Sequence, residues 1–305
     1  MQGLFFTYII GKIINSMLCY NEVLYIMFKK KIAIAITLML LTFAICGCSI
    51  SNSNQTQSET TENTTETSTV EETTTEDTET VSENTVVEDV EILNFTPPEI
   101  GEEIAVITVK DYGQIKIKLF PDQCPNGVEN FKRLISEKDY YSNVIFHRVI
   151  ADFVIQAGDP NGNGTGGESI WGDGFEREFD NGLRHFAGAV AYATNNVDHL
   201  NKSQFYIVCQ NDGSEFNDSY FDMVSQSYNT TFPENVREKY KEVGGTPFLD
   251  NNYEVFGQVF EGMDVVMAIS QAKTDGNDKP YNDIVIESAT IEEYDGSSTI
   301  GSSEE

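Results

Sequence analysis

The segment from Ser49 to Leu93 most constrains how this 305-residue chain can fold. It consists mainly of Thr, Glu, Ser and Asn with few apolar side chains. Such a segment cannot bury enough surface to offset the entropy lost when a backbone is ordered. We therefore predict a disordered acidic tether over residues 49–97 and a disordered tail over residues 295–305. The part of the chain that can build a core is then a single domain over residues 98–294.

The N-terminal residues 1–48 have the pattern of a targeting signal. The basic run Lys29-Lys30-Lys31 precedes a short apolar run and Cys46-Gly47-Cys48, which is the order of a secretory signal. Ile45 to Cys48 resembles a bacterial lipobox, in which Cys48 would be lipidated and become the mature N-terminus. The apolar run is short for a transmembrane helix, although an uncleaved anchor stays open. Residues 1–26 do not fit in front of such a signal, and they indicate either a mis-assigned translation start or a second hydrophobic helix.

Net charge and composition exclude several classes of function. The formal net charge of −30 argues against binding nucleic acid, or an anionic membrane surface, through charge. The only membrane contact that we expect is the lipid anchor. The three His residues are scattered without the spacing of metal ligands, so we predict no metal and no cofactor. Cys124 and Cys209 lie in apolar patterns and are expected in the core, without a disulfide.

Short apolar runs and turn signals fill residues 98–294. In Gln114–Leu119, Ile and Leu alternate with Lys, and Asp111-Tyr112-Gly113 joins this strand to the one before it as a hairpin. Helical spacing of Val128, Phe131, Leu134 and Ile135 predicts an amphipathic helix that plugs one end of a barrel. Met263 to Ile269 predicts a second helix.

The stretch from Phe146 to Gly172 carries the polar residues of greatest interest. Its first half predicts two short strands, and Asp159 to Gly167 is too rich in Gly and Asn for a helix or strand. Arg148 and Gln156 are polar residues set into apolar strands. This placement indicates an apolar ligand surface with a few fixed hydrogen-bonding groups.

Three separated motifs resemble the signature of the cyclophilin family of peptidyl-prolyl cis–trans isomerases. They are FHRVI…FVIQAGD…NGTGG, then Ser203 to Ile207, then Leu249-Asp250 with Val255 to Val259, in the order of the family. The resemblance implies a mainly β fold, a closed antiparallel β-barrel capped by two α-helices, with a partly helical insertion over residues 211–246. It also implies isomerisation of X–Pro bonds, and therefore proline-containing segments of unfolded or secreted proteins as partners. With the lipobox, we expect a monomer anchored to the outer face of a bacterial cell membrane.

The same resemblance implies roles for individual residues. Arg148 would donate a hydrogen bond to the prolyl nitrogen, and Gln156 and Gln204 would complete the catalytic set. The substrate-binding positions would be Phe153, Val154, Gly164, Ala193, Thr194, Tyr206, Phe248, Leu249 and Tyr253. Five of these differ from the residue that is usual in the family: Val154 for Met, Thr194 for Asn, Tyr206 for Phe, Phe248 for Trp and Tyr253 for His. These departures bear on cyclosporin affinity and peptide preference more than on activity.

Two alternatives stay open from the sequence. Taken without the family motif, Arg148 fits a structural ion pair with Glu176 or Asp180. A non-catalytic module of the same fold could also hold proline-containing segments as a chaperone, although the intact Arg148, Gln156 and Gln204 favour the enzyme.

The insertion has two interpretations. It carries too many large apolar side chains for a free loop, and Asn235 to Val243 predicts a helix within it. The insertion could be an excursion that covers its own core, or a wall that lengthens the peptide groove and selects the residues that flank the proline.

Overall fold

A computed structural model of the protein describes residues 88–194, 198–228 and 230–297, which belong to one compact unit. The targeting segment, most of the predicted tether and residues 298–305 of the predicted tail lie outside the described residues. Within the described ranges, no helix has the length and apolar character needed to cross a membrane.

Eight antiparallel strands form one curled sheet. The spatial order of the strands is β3-β4-β6-β5-β7-β2-β1-β8. In chain order they are β1 (Glu103–Val109), β2 (Gly113–Leu119), β3 (Arg148–Ile150), β4 (Val154–Ala157), β5 (Ala189–Tyr192), β6 (Phe205–Val208), β7 (Val255–Glu261) and β8 (Ile286–Glu293). The alternating residues of β2 behave as predicted, since Ile115, Ile117 and Leu119 are buried.

The two edge strands of the sheet, β3 and β8, do not pair along their length. Residues just before β3 reach the start of β8 instead: Asn143 N donates to Ile286 O at 2.8 Å and Phe146 N to Ile284 O at 2.9 Å. A single bridge between Ile145 and Val285 lies between these bonds. The mainly β antiparallel class is therefore confirmed. Closure of the barrel is not, since the sheet is a curled half-barrel whose edges meet through irregular backbone.

Four α-helices lie in the described part of the chain, two of them where the apolar spacing predicts them. They are α1 (Pro125–Ser136), α2 (Asp218–Tyr228), α3 (Glu234–Val243) and α4 (Met263–Ser270). The Phe131 ring of α1 lies 5.4 Å from Phe205 and 5.0 Å from Phe256, so this helix packs into the curve of the sheet. Within the insertion, α3 was predicted and α2 was not. Only Phe221 and Val224 of α2 are buried, which leaves too narrow an apolar stripe to recognise.

The insertion builds a small core of its own on the outside of the sheet. Buried Phe221, Phe232 and Tyr240 cluster there with Phe186 of the barrel, and the Phe186 and Tyr240 rings are 4.3 Å apart. This cluster fits the first interpretation of the insertion, and the second, a wall of the peptide groove, stays a prediction.

The prediction of a disordered tether is wrong for residues 88–97. Val90 and Ile92 pack against the core of the insertion. Asn94 is buried, and its Nδ2 donates to Arg184 O at 3.0 Å and to Gln258 Oε1 at 2.8 Å. The composition of this segment does not reveal the apolar surface that the distant insertion offers it.

Glu254 is a fully buried carboxyl group next to α1. Its Oε2 accepts hydrogen bonds from Glu178 N at 2.7 Å and from Asn201 Nδ2. Its Oε1 has no hydrogen-bond partner among the described residues, and it occupies space that a Cβ at Gly127 would fill. Burial, with the charge of Glu178 acting in the same direction, raises the pKa of Glu254 to about 8.

The raised pKa gives the fold a definite pH dependence. In the unfolded chain a Glu carboxyl titrates at about 4.3, so folding binds a proton between that pH and about 8. The contribution of Glu254 to stability is complete below the unfolded pKa and is lost as the pH rises through the folded value.

We predict that Glu254→Gln makes the protein more stable than the wild type at pH 9 and flattens the pH dependence of unfolding between pH 5 and 9, because an amide has no charge to bury. Urea unfolding at several pH values measures this, with the exposed Glu287→Gln as the matched control. A variant that follows the wild-type pH dependence would show that Glu254 is ionised in the folded protein.

Candidate active site

Three side chains form a hydrogen-bonded row across β3, β4 and β6. The strand register sets Arg148 opposite Gln156, and Gln156 opposite Tyr206. Arg148 Nη1 donates to Gln156 Oε1 at 3.3 Å, and Gln156 Nε2 donates to Gln204 Oε1 at 3.0 Å. The row ends where Gln204 Nε2 donates to Gly164 O at 3.2 Å. Each amide thus has its orientation set by its neighbours.

Arg148 also has an ion pair, though not with either residue proposed from the sequence. Its Nε lies 3.7 Å from Asp278 Oδ2, and the two side chains are 39% and 45% exposed. An exposed pair at this separation contributes little to stability. The interaction therefore serves to orient a guanidinium, which has five N–H donors in all, rather than to hold the fold together.

A small cavity of about 150 Å³ lies beside the guanidinium. Its wall combines apolar side chains with polar ones, among them Arg148 and Gln156. Its lining consists of Arg148, Phe153, Val154, Gln156, Ala193, Thr194, Tyr206, Leu249 and Tyr253. We call it the central cavity.

Two further cavities continue from the central one. The loop cavity, of about 250 Å³, shares Gln156, Ala193 and Thr194 with it and extends over residues 164–167 and Gln204. The insertion cavity, of about 450 Å³, shares Thr194, Leu249 and Tyr253 with it. The insertion cavity is lined by Arg177, Thr194, His199, Tyr228, Phe248, Leu249, Asn252 and Tyr253. Thr194 lines all three cavities, so they adjoin one another, and we call them together the groove.

The groove brings together all twelve residues that the sequence singles out as catalytic or substrate-binding. Nine line the central cavity, Gln204 and Gly164 line the loop cavity, and Phe248 lines the insertion cavity. Phe248 also stacks on Phe153 of the central cavity, with ring centroids 5.8 Å apart and an interplanar angle of 22°. The roles of these residues stay predictions, since placement alone does not test them.

The ring of Tyr206 is held from behind by a buried chain of polar groups. Its hydroxyl lies 3.0 Å from His185 Nε2, and His185 Nδ1 lies 2.9 Å from Asp250 Oδ1. Because the carboxylate accepts from Nδ1–H, Nε2 is left to accept from the tyrosine hydroxyl. Asp250 also accepts from the hydroxyl of Tyr240 at 2.8 Å. The chain therefore links the wall of the central cavity to helix α3 of the insertion.

Asp159 organises the Gly-rich loop beside Gln204. Its carboxylate accepts hydrogen bonds from the backbone N–H groups of Asn161, Asn163 and Gly164 at 2.8, 3.0 and 2.5 Å. Burial acts to raise the pKa of Asp159, but these N–H groups outweigh it and lower the pKa. An ionised Asp159 thus fixes the loop whose carbonyl groups orient Gln204.

Sequence reasoning missed Asp159, His185, Asp250 and Asp278 as contributors to the site. An Asp directly before a Gly- and Asn-rich loop is a signal for side-chain to backbone hydrogen bonds, so Asp159 could have been found. The partners of His185 and Asp250 are distant in sequence, and no local pattern indicates them. Among the described residues, no group of three or more His, Cys, Asp or Glu side chains could hold a metal ion.

We predict that Tyr206→Phe lowers the free energy of unfolding by about 1–3 kcal/mol, because it leaves His185 Nε2 buried without its donor. Tyr253→Phe removes a hydroxyl from a half-buried ring of the same cavity and should cost less than about 0.5 kcal/mol. Denaturant unfolding of both variants measures the difference. Equal losses would show that the Tyr206–His185 contact does not stabilise the wall.

Comparisons with known proteins agree with one another. The family model for cyclophilin-type peptidyl-prolyl cis–trans isomerases matches residues 104–291. A protein of Staphylococcus saprophyticus assigned as a peptidyl-prolyl cis–trans isomerase is 43% identical over 193 residues, covering 63% of this chain and 94% of the relative. A protein of Staphylococcus aureus (strain USA300) with the same assignment is 40% identical over 191 residues, covering 63% and 93%.

One solved structure among those similar to this chain is a cyclophilin-type peptidyl-prolyl cis–trans isomerase of Cryptosporidium parvum, determined in the presence of the dipeptide Ala-Pro. It is 29% identical, with a TM-score of 0.49, and the match covers 63% of this chain and 99% of that one.

Proposed function

The chain belongs to the family of cyclophilin-type peptidyl-prolyl cis–trans isomerases, and we propose that it accelerates X–Pro isomerisation while secreted proteins fold outside the cytoplasmic membrane. Its substrates are proline-containing segments of unfolded chains, and it acts as a monomer without nucleic acid.

The reaction requires little chemistry from a protein. Rotation about a peptide C–N bond is slow because resonance gives the bond partial double-bond character, with a barrier of about 18–20 kcal/mol. Uncatalysed X–Pro bonds therefore take tens to hundreds of seconds to isomerise. No covalent bond breaks, so the catalyst has to stabilise the twisted amide, in which the lone pair of the prolyl nitrogen becomes available as a hydrogen-bond acceptor.

The observation that carries the proposal is the row Arg148–Gln156–Gln204 at the side of the central cavity. The apolar walls of Phe153, Val154 and Leu249 suit the ring of proline. An Arg148 N–H then donates to the prolyl nitrogen as the amide twists. Gln156 donates its second Nε2–H to the carbonyl of the preceding residue, and Gln204, which accepts from Gln156 Nε2, holds that amide in place. Because neighbouring groups already orient these donors, little reorganisation is needed in the transition state.

We predict that Arg148→Ala lowers kcat/KM for a proline-containing tetrapeptide by on the order of 100-fold or more, as the loss of one oriented donor does elsewhere. A protease-coupled isomerisation assay measures the rate. Arg133→Ala, which removes an exposed arginine paired with Glu137 on α1, is the matched control and should leave the rate unchanged. A folded Arg148→Ala variant with wild-type activity would remove Arg148 from the mechanism.

The extracytoplasmic location rests on the signal pattern of residues 1–48, which lies outside the described residues. The basic run, the apolar run and the lipobox-like Ile45 to Cys48 support cleavage before Cys48 and lipidation of its thiol. The acidic segment that follows would let the isomerase domain reach chains that emerge from the membrane.

We predict that Cys48→Ser abolishes acylation and leaves a precursor or a released protein, whereas Cys46→Ser leaves anchoring intact. Membrane fractionation with metabolic labelling by a fatty acid distinguishes these outcomes. Wild-type protein in the soluble extracellular fraction without an acyl group would contradict the anchor.

A further inference from the structure

The insertion cavity adds an aromatic recess to one end of the groove. We propose that it is a subsite for the residue directly following the proline, with a preference for an aromatic side chain. The proposal rests on the isomerase function and extends it, because its key residue, Tyr228, comes from the insertion.

Tyr228 is positioned at the groove by fixed neighbours. It is the last residue of α2, it is 47% exposed, and its ring centroid lies 6.4 Å from that of Phe248. Two residues later, buried Thr230 accepts a hydrogen bond through Oγ1 from Asn251 Nδ2 at 2.8 Å. This bond ties the returning insertion to the segment that carries Phe248 and Leu249. The ring of Tyr228 is therefore held at the groove wall with about half of its surface free to contact a ligand.

The recess is continuous with the site where the proline ring is bound. Phe248 contacts Phe153 of the central cavity on one side and Tyr228 on the other. Thr194, Leu249 and Tyr253 line both cavities. A peptide bound at the central cavity can therefore place its next residue in the adjoining recess.

The hydrogen-bonded row sets the direction of the peptide. Gln156 holds the carbonyl that precedes the proline, Gln204 orients the Gln156 amide, and both line the loop cavity. The residues before the proline thus occupy the loop cavity, and the insertion cavity is left for the chain that follows the proline.

The lining of the recess selects the type of side chain. The rings of Tyr228, Phe248 and Tyr253 lie on its wall together with the guanidinium of Arg177. Arg177 is fixed because its Nη1 donates to Asn252 O at 2.5 Å. An aromatic residue can contact the rings by stacking or edge-to-face packing and can present its face to the guanidinium. An aromatic side chain also fills a recess of about 450 Å³ better than a small side chain does.

The test uses the purified full chain and four peptides that differ only next to the proline. Phe or Ala is placed directly after the proline, or directly before it, and kcat and KM are measured for each. We expect wild-type protein to favour Phe over Ala after the proline through a lower KM. In Tyr228→Ala this preference should fall by about threefold to tenfold, the range of one aromatic pair. Activity on the Ala peptides should change less than activity on the peptide with Phe after the proline.

Three matched variants separate the proposal from a general effect. Tyr228→Phe keeps the ring and should keep the preference. Met223→Ala changes another exposed residue of α2, and Tyr281→Ala makes the same Tyr→Ala change at a distant exposed site. Neither variant should alter the preference for Phe after the proline. An equal loss in Tyr228→Ala for Phe and Ala peptides, or a change in preference only before the proline, would overturn the subsite. If wild-type protein turned over none of the peptides, the isomerase function itself would fail.

Discussion

The site depends on the register of one four-residue strand. β4 pairs with β3 on one side and with β6 on the other, which sets Arg148 opposite Gln156 and brings Gln204, the residue before β6, next to Gln156. Successive side chains of a strand point to opposite faces, so a slip of one residue would turn Gln156 away from the groove. Buried Val154, Ile155 and Ala157 on β4 hold the register by packing. The position of Arg148 in the sheet is thus set by the hydrophobic core, and its exposed ion pair with Asp278 acts only on the guanidinium.

Buried carboxylates then fix the irregular parts around this row. Asp159 binds the backbone of the Gly-rich loop, and Asp250 holds His185 and Tyr240 at once. In a low-dielectric interior such hydrogen bonds are strong, and leaving one partner unpaired is costly. This arrangement explains how Tyr206 can stand where the family usually has Phe. The added hydroxyl has a buried acceptor in His185, and His185 is connected through Asp250 to Tyr240 of the insertion. A departure that looks conservative in sequence therefore ties an extra element to the groove.

The sequence predicts the parts of the molecule that local patterns encode. Alternation in β2 and helical spacing in α1 give the elements of the barrel, and the family motifs name residues that the structure gathers in one groove. Helix α2 escapes because only two of its residues are buried, and its packing depends on Phe186 from a distant part of the chain. The order of residues 88–97 is not predicted for the same reason, since Val90 and Ile92 pack against apolar side chains of the insertion. The buried partners of His185 and Asp250 are likewise set by long-range packing, which no local spacing records.

The central claim is that the groove turns over X–Pro bonds and does not merely hold proline-containing segments. Nuclear magnetic resonance exchange spectroscopy tests it directly on a proline-containing peptide with the protein at a few per cent of the peptide concentration. The account predicts exchange cross-peaks between cis and trans resonances on the subsecond timescale, far faster than the uncatalysed interval of tens to hundreds of seconds. Peptide resonances that shift on binding, without any acceleration of exchange, would show a binding module and contradict the account.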